Sequence, residues 1–167
     1  MDFSLREARR EDVGRIIEIM SQAKAQMARE GSRQWDESYP APDNILADID
    51  AGVGYVLVGD GAVVAYGAVV INGEPAYDHI EGHWLTDGDY VVLHRLAVAD
   101  EVKGRGVASR FFAETERIAR ARGVRAFRVD TNFDNHRLLH ITSKLGFTHC
   151  GEVRYPRGTR LAFEKKI

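Results

Sequence analysis

The segment from Leu93 to Arg122 constrains the fold more than any other part of the chain. It holds an apolar run, a short polar turn closing in Lys103-Gly104-Arg105-Gly106, and then apolar residues at helical spacing. Residues 91–98 read as a strand. Val107, Phe111, Ile118 and Ala119, with Ala108 and Phe112 beside them, recur as the buried stripe of a helix does. Glycines in such a turn let backbone N–H groups approach a ligand, and the first turn of a helix has N–H groups without internal partners. With the positive end of the helix dipole and two flanking cations, the turn suits a phosphate. The same pattern also serves an ordinary strand-to-helix turn in which glycine supplies only tightness.

Two nucleotide motifs can be weighed against this stretch. A dinucleotide fingerprint needs Gly-x-Gly-x-x-Gly after a strand and an acidic residue about 20 positions on. Gly104 and Gly106 fit and Asp130 ends the next apparent strand, but Ser109 stands where the third glycine belongs. A P-loop fails because no Gly-Lys-Ser/Thr closes the turn.

Lys103-Gly104-Arg105-Gly106-Val107-Ala108 resembles the Gln/Arg-x-x-Gly-x-Gly/Ala pyrophosphate motif of the GNAT superfamily of acyl-CoA-dependent N-acetyltransferases. Lysine in the first position is a departure that keeps the charge. Leu96-Ala97-Val98 is similar to the strand segment that precedes the motif in that family. A second block, Asn135-His136-Arg137-Leu138 followed by Lys144-Leu145-Gly146-Phe147, resembles the family's Asn-x-x-Ala…Lys-Leu-Gly-Phe segment. The resemblance is sharp over residues 91–151 and architectural before that.

The 167 residues suffice for one domain, 1–167, with its own core. No apolar run approaches a membrane span, the N-terminus does not read as a signal peptide, and Cys150, the single cysteine, fits a reducing compartment. The expectation is a cytoplasmic protein. Charge is unevenly distributed: residues 34–94 contain eleven acids and no Lys or Arg, while the remainder holds all 23 basic residues against 14 acids. That asymmetry suits an anionic cofactor and a cationic substrate, or else is scattered solvated charge. No aromatic-interleaved basic stripe or nucleic-acid motif is present, so no nucleic-acid partner is expected.

Taken in order, residues 3–8 read as a strand, and a helix starts at Glu11 or Asp12 and ends at Gly31. A loop follows to Pro42, then a short helix over 44–51 capped by Asp43. Residues 53–58 and 62–71 form a hairpin, and 74–89 are irregular, either shaping a site or forming a surface excursion. After the central strand and helix come a strand over 125–130, a helix from Asp134 or Asn135 to Lys144, and strands over 148–155 and 159–165. The order β-α-α-β-β-β-α-β-α-β-β is that of the GNAT fold. The fold class is α+β, with a mixed, mostly antiparallel central sheet, a splayed parallel strand pair and about four flanking helices.

The resemblance implies acetyl transfer from acetyl-CoA to a primary amine by direct transfer in a ternary complex. In the family the thioester lies where two parallel strands splay, here 94–98 and 125–130. The backbone at Leu96, Ala97 and Val98 would then hold the pantetheine arm, with the Val98 N–H a candidate oxyanion donor. The backbone of Lys103, Gly104, Arg105, Gly106, Val107, Ala108 and Ser109 would hold the pyrophosphate, and Asn135 would contact the cofactor from the other side. His94 is the candidate general base: it stands two residues before Leu96, hence on one strand face with Leu96 and Val98, and related arylalkylamine N-acetyltransferases carry a histidine there. Arg95 is expected on the opposite face. Where many relatives place a tyrosine as general acid, this chain has Thr142, so that role is not transferred; Tyr90 and Tyr155 are possible substitutes. Trp35, Tyr39, Trp84 and Asn132 are candidate acceptor-site residues, although Trp35 and Tyr39 also suit core anchors.

The favoured acceptor is a cationic small molecule (a polyamine, an amino sugar or an arylalkylamine), with a peptide N-terminus or lysine tolerated. Dimers are common among resembling proteins, so a homodimer is one expectation. No metal is expected: His136 and His140 have helical metal-pair spacing but no evident third ligand. Cys150 reads as a small core residue. Two other classes stand beside the enzyme: a non-catalytic acyl-CoA-binding module with an idle His94, and a nicotinamide-dependent oxidoreductase relying on Asp130.

Overall fold

Apolar runs broken by Gly- and Asn-containing turns pair into one eight-stranded sheet in a computed structural model that describes residues 2–167. The strands are β1 (Phe3–Glu7), β2 (Gly54–Gly59), β3 (Ala62–Ile71), β4 (Glu81–Gly82), β5 (Val91–Val98), β6 (Ala126–Thr131), β7 (Thr148–Tyr155) and β8 (Gly158–Lys166). Their order across the sheet is β1-β2-β3-β5-β6-β8-β7-β4, and every pairing is antiparallel except β5–β6. Four helices accompany them: α1 (Val13–Arg29), α2 (Pro42–Asp50), α3 (Val107–Ala121) and α4 (His136–Lys144).

Several expected boundaries move for local reasons. Residues 10–12 form a 3-10 turn before α1, and the Asp12 carboxylate accepts from the Arg9 N–H at 2.8 Å while pairing with Arg6. α2 starts at Pro42, not near Asn44, because proline suits the first helical position; the cap is Ala41, not Asp43, and its N–H donates to Asn44 Oδ1 at 2.8 Å. The segment 74–89 is not wholly irregular. It contains a 3-10 turn over Pro75–His79 and the strand β4, which joins β7 through Gly82 and Gly151. A Cβ on Gly82 would lie 2.1 Å from the Cys150 carbonyl, so only glycine allows this approach.

Two irregularities in the central strands shape everything that follows. β5 and β6 pair only at Val91↔Phe127 and Val92↔Arg128, after which no register joins them. β5 also bulges against β3: Ala68 faces His94 but Tyr66 faces Ala97. At the bulge Arg95 adopts φ +56, a left-handed conformation that costs a non-glycine residue roughly 1–2 kcal/mol. Gly67 stands opposite, where a Cβ would meet Leu93 Cδ1 at 2.8 Å and Phe111 Cε1 at 2.9 Å.

One core gathers Leu93, Phe111, Phe112, Phe127 and Phe147, with Phe112 stacked on Phe127 and Phe147 edge-on to both. A second, smaller core holds Tyr77, Tyr90, Val92, Ala126, Val153 and Ala162. Beside it, Glu164 is fully buried, and its carboxylate accepts from Arg128, the Leu85 and Thr86 N–H groups and the Thr86 hydroxyl. Arg128 lies between the rings of Trp84 and Tyr90. A buried ion pair survives when each lone pair finds a donor, as here.

Candidate active site

The divergence of β5 and β6 opens a cleft of about 890 Å³ that runs from the glycine turn to the β7–β8 hairpin. At the first end, Gly104 and Gly106 have φ +78 and +72. Gly106 precedes α3 without a side-chain cap, and the first intrahelical bond runs from Arg110 N to Gly106 O, so the N–H groups of Val107, Ala108 and Ser109 have no helical acceptor. A Cβ on either glycine would meet nothing within 4 Å, so their freedom serves the open side of the turn. A 15-residue helix directs its positive end there. Bare N–H groups, positive potential and absent side chains fit a pyrophosphate. Lys103 lines this end and pairs with Asp100, whereas the Arg105 side chain is exposed and does not line the cleft.

Along the gap, Leu96, Ala97 and Val98 line the cleft. Ala99 N donates to Val64 O at 2.8 Å, so in the alternation of an antiparallel ladder the Val98 N–H points away from β3, toward the unpaired side. The bulge corrects one expectation. His94 does not share a face with Val98: His94 pairs with Ala68 and Ala97 with Tyr66, putting these four on one face, while Leu93 and Val98 take the other. An extra residue in a strand reverses the alternation beyond it. Arg95 leaves the strand pattern altogether and grips Asp48 through two hydrogen bonds of 2.8 and 2.6 Å. Tyr66 donates to the same carboxylate, and Arg95 donates to the Tyr39 hydroxyl.

At the far end the groups are side chains. Asp130 Oδ2 accepts from Tyr77 at 2.6 Å and Tyr155 at 2.8 Å. Burial first, and the Asp130 charge second, raise both phenols well above their ordinary value. A tyrosine so held is a poor proton donor, which weighs against Tyr155 as general acid. Tyr90 accepts from the Glu74 N–H inside the second core. Glu74 Oε2 stands 3.8 Å from His94 Nε2. Burial pushes the Glu74 carboxyl up, with Asp130 adding to the effect, and pushes His94 down to about 4. His94 is therefore neutral at pH 7.

The sequence-based candidates divide. Trp35 and Tyr39 line the cleft, Trp35 while buried in the main core. Trp84 does not: its Nε1 donates to the Tyr77 carbonyl and its ring covers Arg128, so the indole belongs to the second core. Asn132 also lies off the cleft lining, with its amide donating to Asp134. Asn135 lines the cleft, but its side chain caps α4 through Leu138 N and donates to Gln34. Thr142 is buried and donates to the Leu139 carbonyl, away from the site. Burial raises the Cys150 thiol, the opposite of an activated nucleophile.

Sequence reasoning missed Glu74, one of eleven acids in its region, whose only signal was its place just past the Asn72-Gly73 break after β3. It also missed Gln34, whose Oε1 accepts from Thr131, Asn132 and Asn135 and so ties the 32–41 loop to the start of α4. Charge asymmetry along the chain does not carry into the cleft. Of the eleven acids between 34 and 94, Glu74 alone lines it; Asp36, Asp48, Asp50 and Glu81 pair with arginines.

A model of the acetyltransferase (GNAT) family matches residues 7–147. A GNAT-family acetyltransferase structure from Streptococcus agalactiae is 35% identical, covers 99% of this chain and 95% of that one, and superposes with a TM-score of 0.89. A GNAT-family acetyltransferase from Listeria monocytogenes is 21% identical over 99% of this chain and 95% of that one, with a TM-score of 0.77. PaiA N-acetyltransferase from Thermoplasma acidophilum, solved in complex with coenzyme A, is 17% identical over 100% of both chains, with a TM-score of 0.74. The last two likenesses speak for the fold alone. No curated protein matches.

Proposed function

The chain belongs to the GNAT acetyltransferase family and performs acetyl-CoA-dependent acetyl transfer, and from that premise we propose that its acceptor is a small-molecule primary amine, acetylated directly in a ternary complex within one domain spanning 1–167. The observation that carries this reading is the continuous cleft joining a bare helix N-terminus to a recessed Glu74–His94 pair. Acetyl-CoA supplies an activated acetyl thioester. The Lys103–Ser109 backbone holds its pyrophosphate, the unpaired edge of β5 at Leu96–Val98 receives the pantetheine arm, and Asn135 borders it from α4. The PaiA structure, with coenzyme A bound on the same fold, supports acetyl-CoA as the donor.

An amine attacks only when neutral, so a proton must leave the incoming ammonium. His94 alone is a weak acceptor, because burial holds its pKa near 4. Glu74, with its carboxyl raised by burial, is the better matched base, and His94 acts beside it as the neutral partner that orients the amine or a bridging water. The Val98 N–H donates to the carbonyl oxygen as negative charge develops there. The C–N bond forms and the C–S bond breaks; the acylated nitrogen sheds one proton to water and, with Thr142 buried elsewhere, the thiolate takes one from water, so the step balances. Trp35 and Tyr39 border the acceptor.

The test is calorimetric titration with acetyl-CoA, CoA and NADH, followed by thiol release across a panel of primary amines. Acetyl-CoA binding with turnover of at least one small amine is the expected result. Turnover confined to peptide N-termini or lysines would overturn the small-molecule assignment, and preferential NADH binding would overturn the cofactor.

A further inference from the structure

We propose that the accepted amine also carries a carboxylate, and that Arg160 binds it. This rests on the reading of the cleft as an acetyl-transfer site and narrows its acceptor. Five Arg or Lys side chains line the cleft: Arg95, Lys103, Arg137, Arg157 and Arg160. Four are held by acids, respectively Asp48, Asp100, Glu30 and Asp36. Arg160 has no carboxylate partner among the described residues. Its Nη1 makes only long hydrogen bonds, 3.5 Å to Asn132 Oδ1 and 3.4 Å to the Thr159 carbonyl. A guanidinium offers five donors in a planar fork that matches a carboxylate, so a half-buried one without an acidic partner inside a cleft suits a ligand's carboxylate.

Register places that site against the amine end. Asp130 pairs with Ala162, and Arg160 stands two residues along β8 from Ala162, hence on the same face about 7 Å away. Val153 pairs with Arg160, and Tyr155, which donates to Asp130, is two residues on. Asp130, Tyr155 and Arg160 therefore share one face. Arg160 is separated from β5, and so from the glycine turn at its end, by the intervening strand β6. The phosphates belong to that turn, which leaves Arg160 to the acceptor. Glu74 and Asp130 face an ammonium and Arg160 a carboxylate; both charges on one small molecule complement the far end of the cleft.

The experiment compares amino acids with their carboxamides as acceptors, at saturating acetyl-CoA, by thiol release. The expected result is that at least one free acid exceeds its amide at least tenfold in kcat/KM. Arg160→Met then raises KM for the acid about tenfold or more and leaves the amide unchanged, and Arg160→Lys recovers part of the loss. Acids and amides used equally by the wild-type protein would overturn the inference, as would turnover of carboxylate-free amines only. So would an Arg160→Met variant that weakens acetyl-CoA binding, since Arg160 would then serve the cofactor. Loss of acetyl-CoA binding by the unaltered protein is a separate failure, that of the underlying reading.

Discussion

The two ends of the cleft are built from different materials. The end at the glycine turn is backbone: N–H groups at the start of α3, flanked by residues without side chains, all within seven consecutive positions, 103–109. The far end is side chains drawn from five segments: Glu74 after β3, His94 on β5, Asp130 on β6, Tyr155 on β7 and Arg160 on β8. A backbone site depends on conformation and tolerates changes of side-chain charge. A side-chain site depends on burial and on which charges meet. Damage to one end should therefore spare the other, and the degree of separation can be measured.

The largest effect is expected at the far end. Glu74→Gln should lower kcat by roughly 10²–10⁴-fold, the range for losing a general base, while acetyl-CoA affinity stays unchanged. Because burial raises the Glu74 carboxyl, the wild-type rate should fall on the acid side as that group protonates, and a pH–rate profile of the variant should lack this limb. If Glu74→Gln weakened acetyl-CoA binding instead, the two ends would not be separable.

Next comes the glycine turn. Gly106→Val places a β-branched side chain at φ +72, where even an unbranched one costs roughly 1–2 kcal/mol, and turns the α3 N–H groups away. Acetyl-CoA affinity should fall about 10–100-fold by calorimetry. The melting temperature should fall by only several degrees, from the backbone strain alone, because the added Cβ meets no neighbour within 4 Å.

The smallest effect is a pH dependence of stability. The folded pKa of His94, about 4, lies below its ordinary value of 6.5. As pH falls through that window the unfolded chain binds the proton first, so stability is full above about 6.5 and declines toward 4. His94→Gln should show a shallower decline in thermal melts between pH 7 and 4.

The contrast between the two ends also explains how much of the molecule could be read in advance. The strand, turn and helix over residues 91–121 were legible because period and glycine placement are local. So was the bare N-terminus of α3 behind its glycines, since it follows from backbone conformation that consecutive residues dictate. The reversal of the strand faces beyond Arg95 was not legible, because the bulge lies opposite Gly67 on the neighbouring strand, where a side chain would meet Leu93 and Phe111 of α3. Trp84 and Asn132 looked like acceptor-site residues by type, yet one covers Arg128 and the other holds Asp134. The first pairing joins segments far apart in the chain, and the second is a local contact two residues along that turns the amide away from the cleft.

The amino-acid order by itself determined the family, the sequence of elements apart from β4, and the glycine turn at the start of α3, because each rests on short-range periodicity, propensity and backbone freedom. The tertiary structure decided the charge of the cleft. Eleven acids in one stretch suited a cationic substrate, but folding paired several with arginines and left one of them, Glu74, in the cleft, which Arg160 also lines without a carboxylate partner. The physical reason is that charges act through space: the neighbours that neutralise, bury or expose an ionisable group are chosen by strand order and register, not by position along the chain.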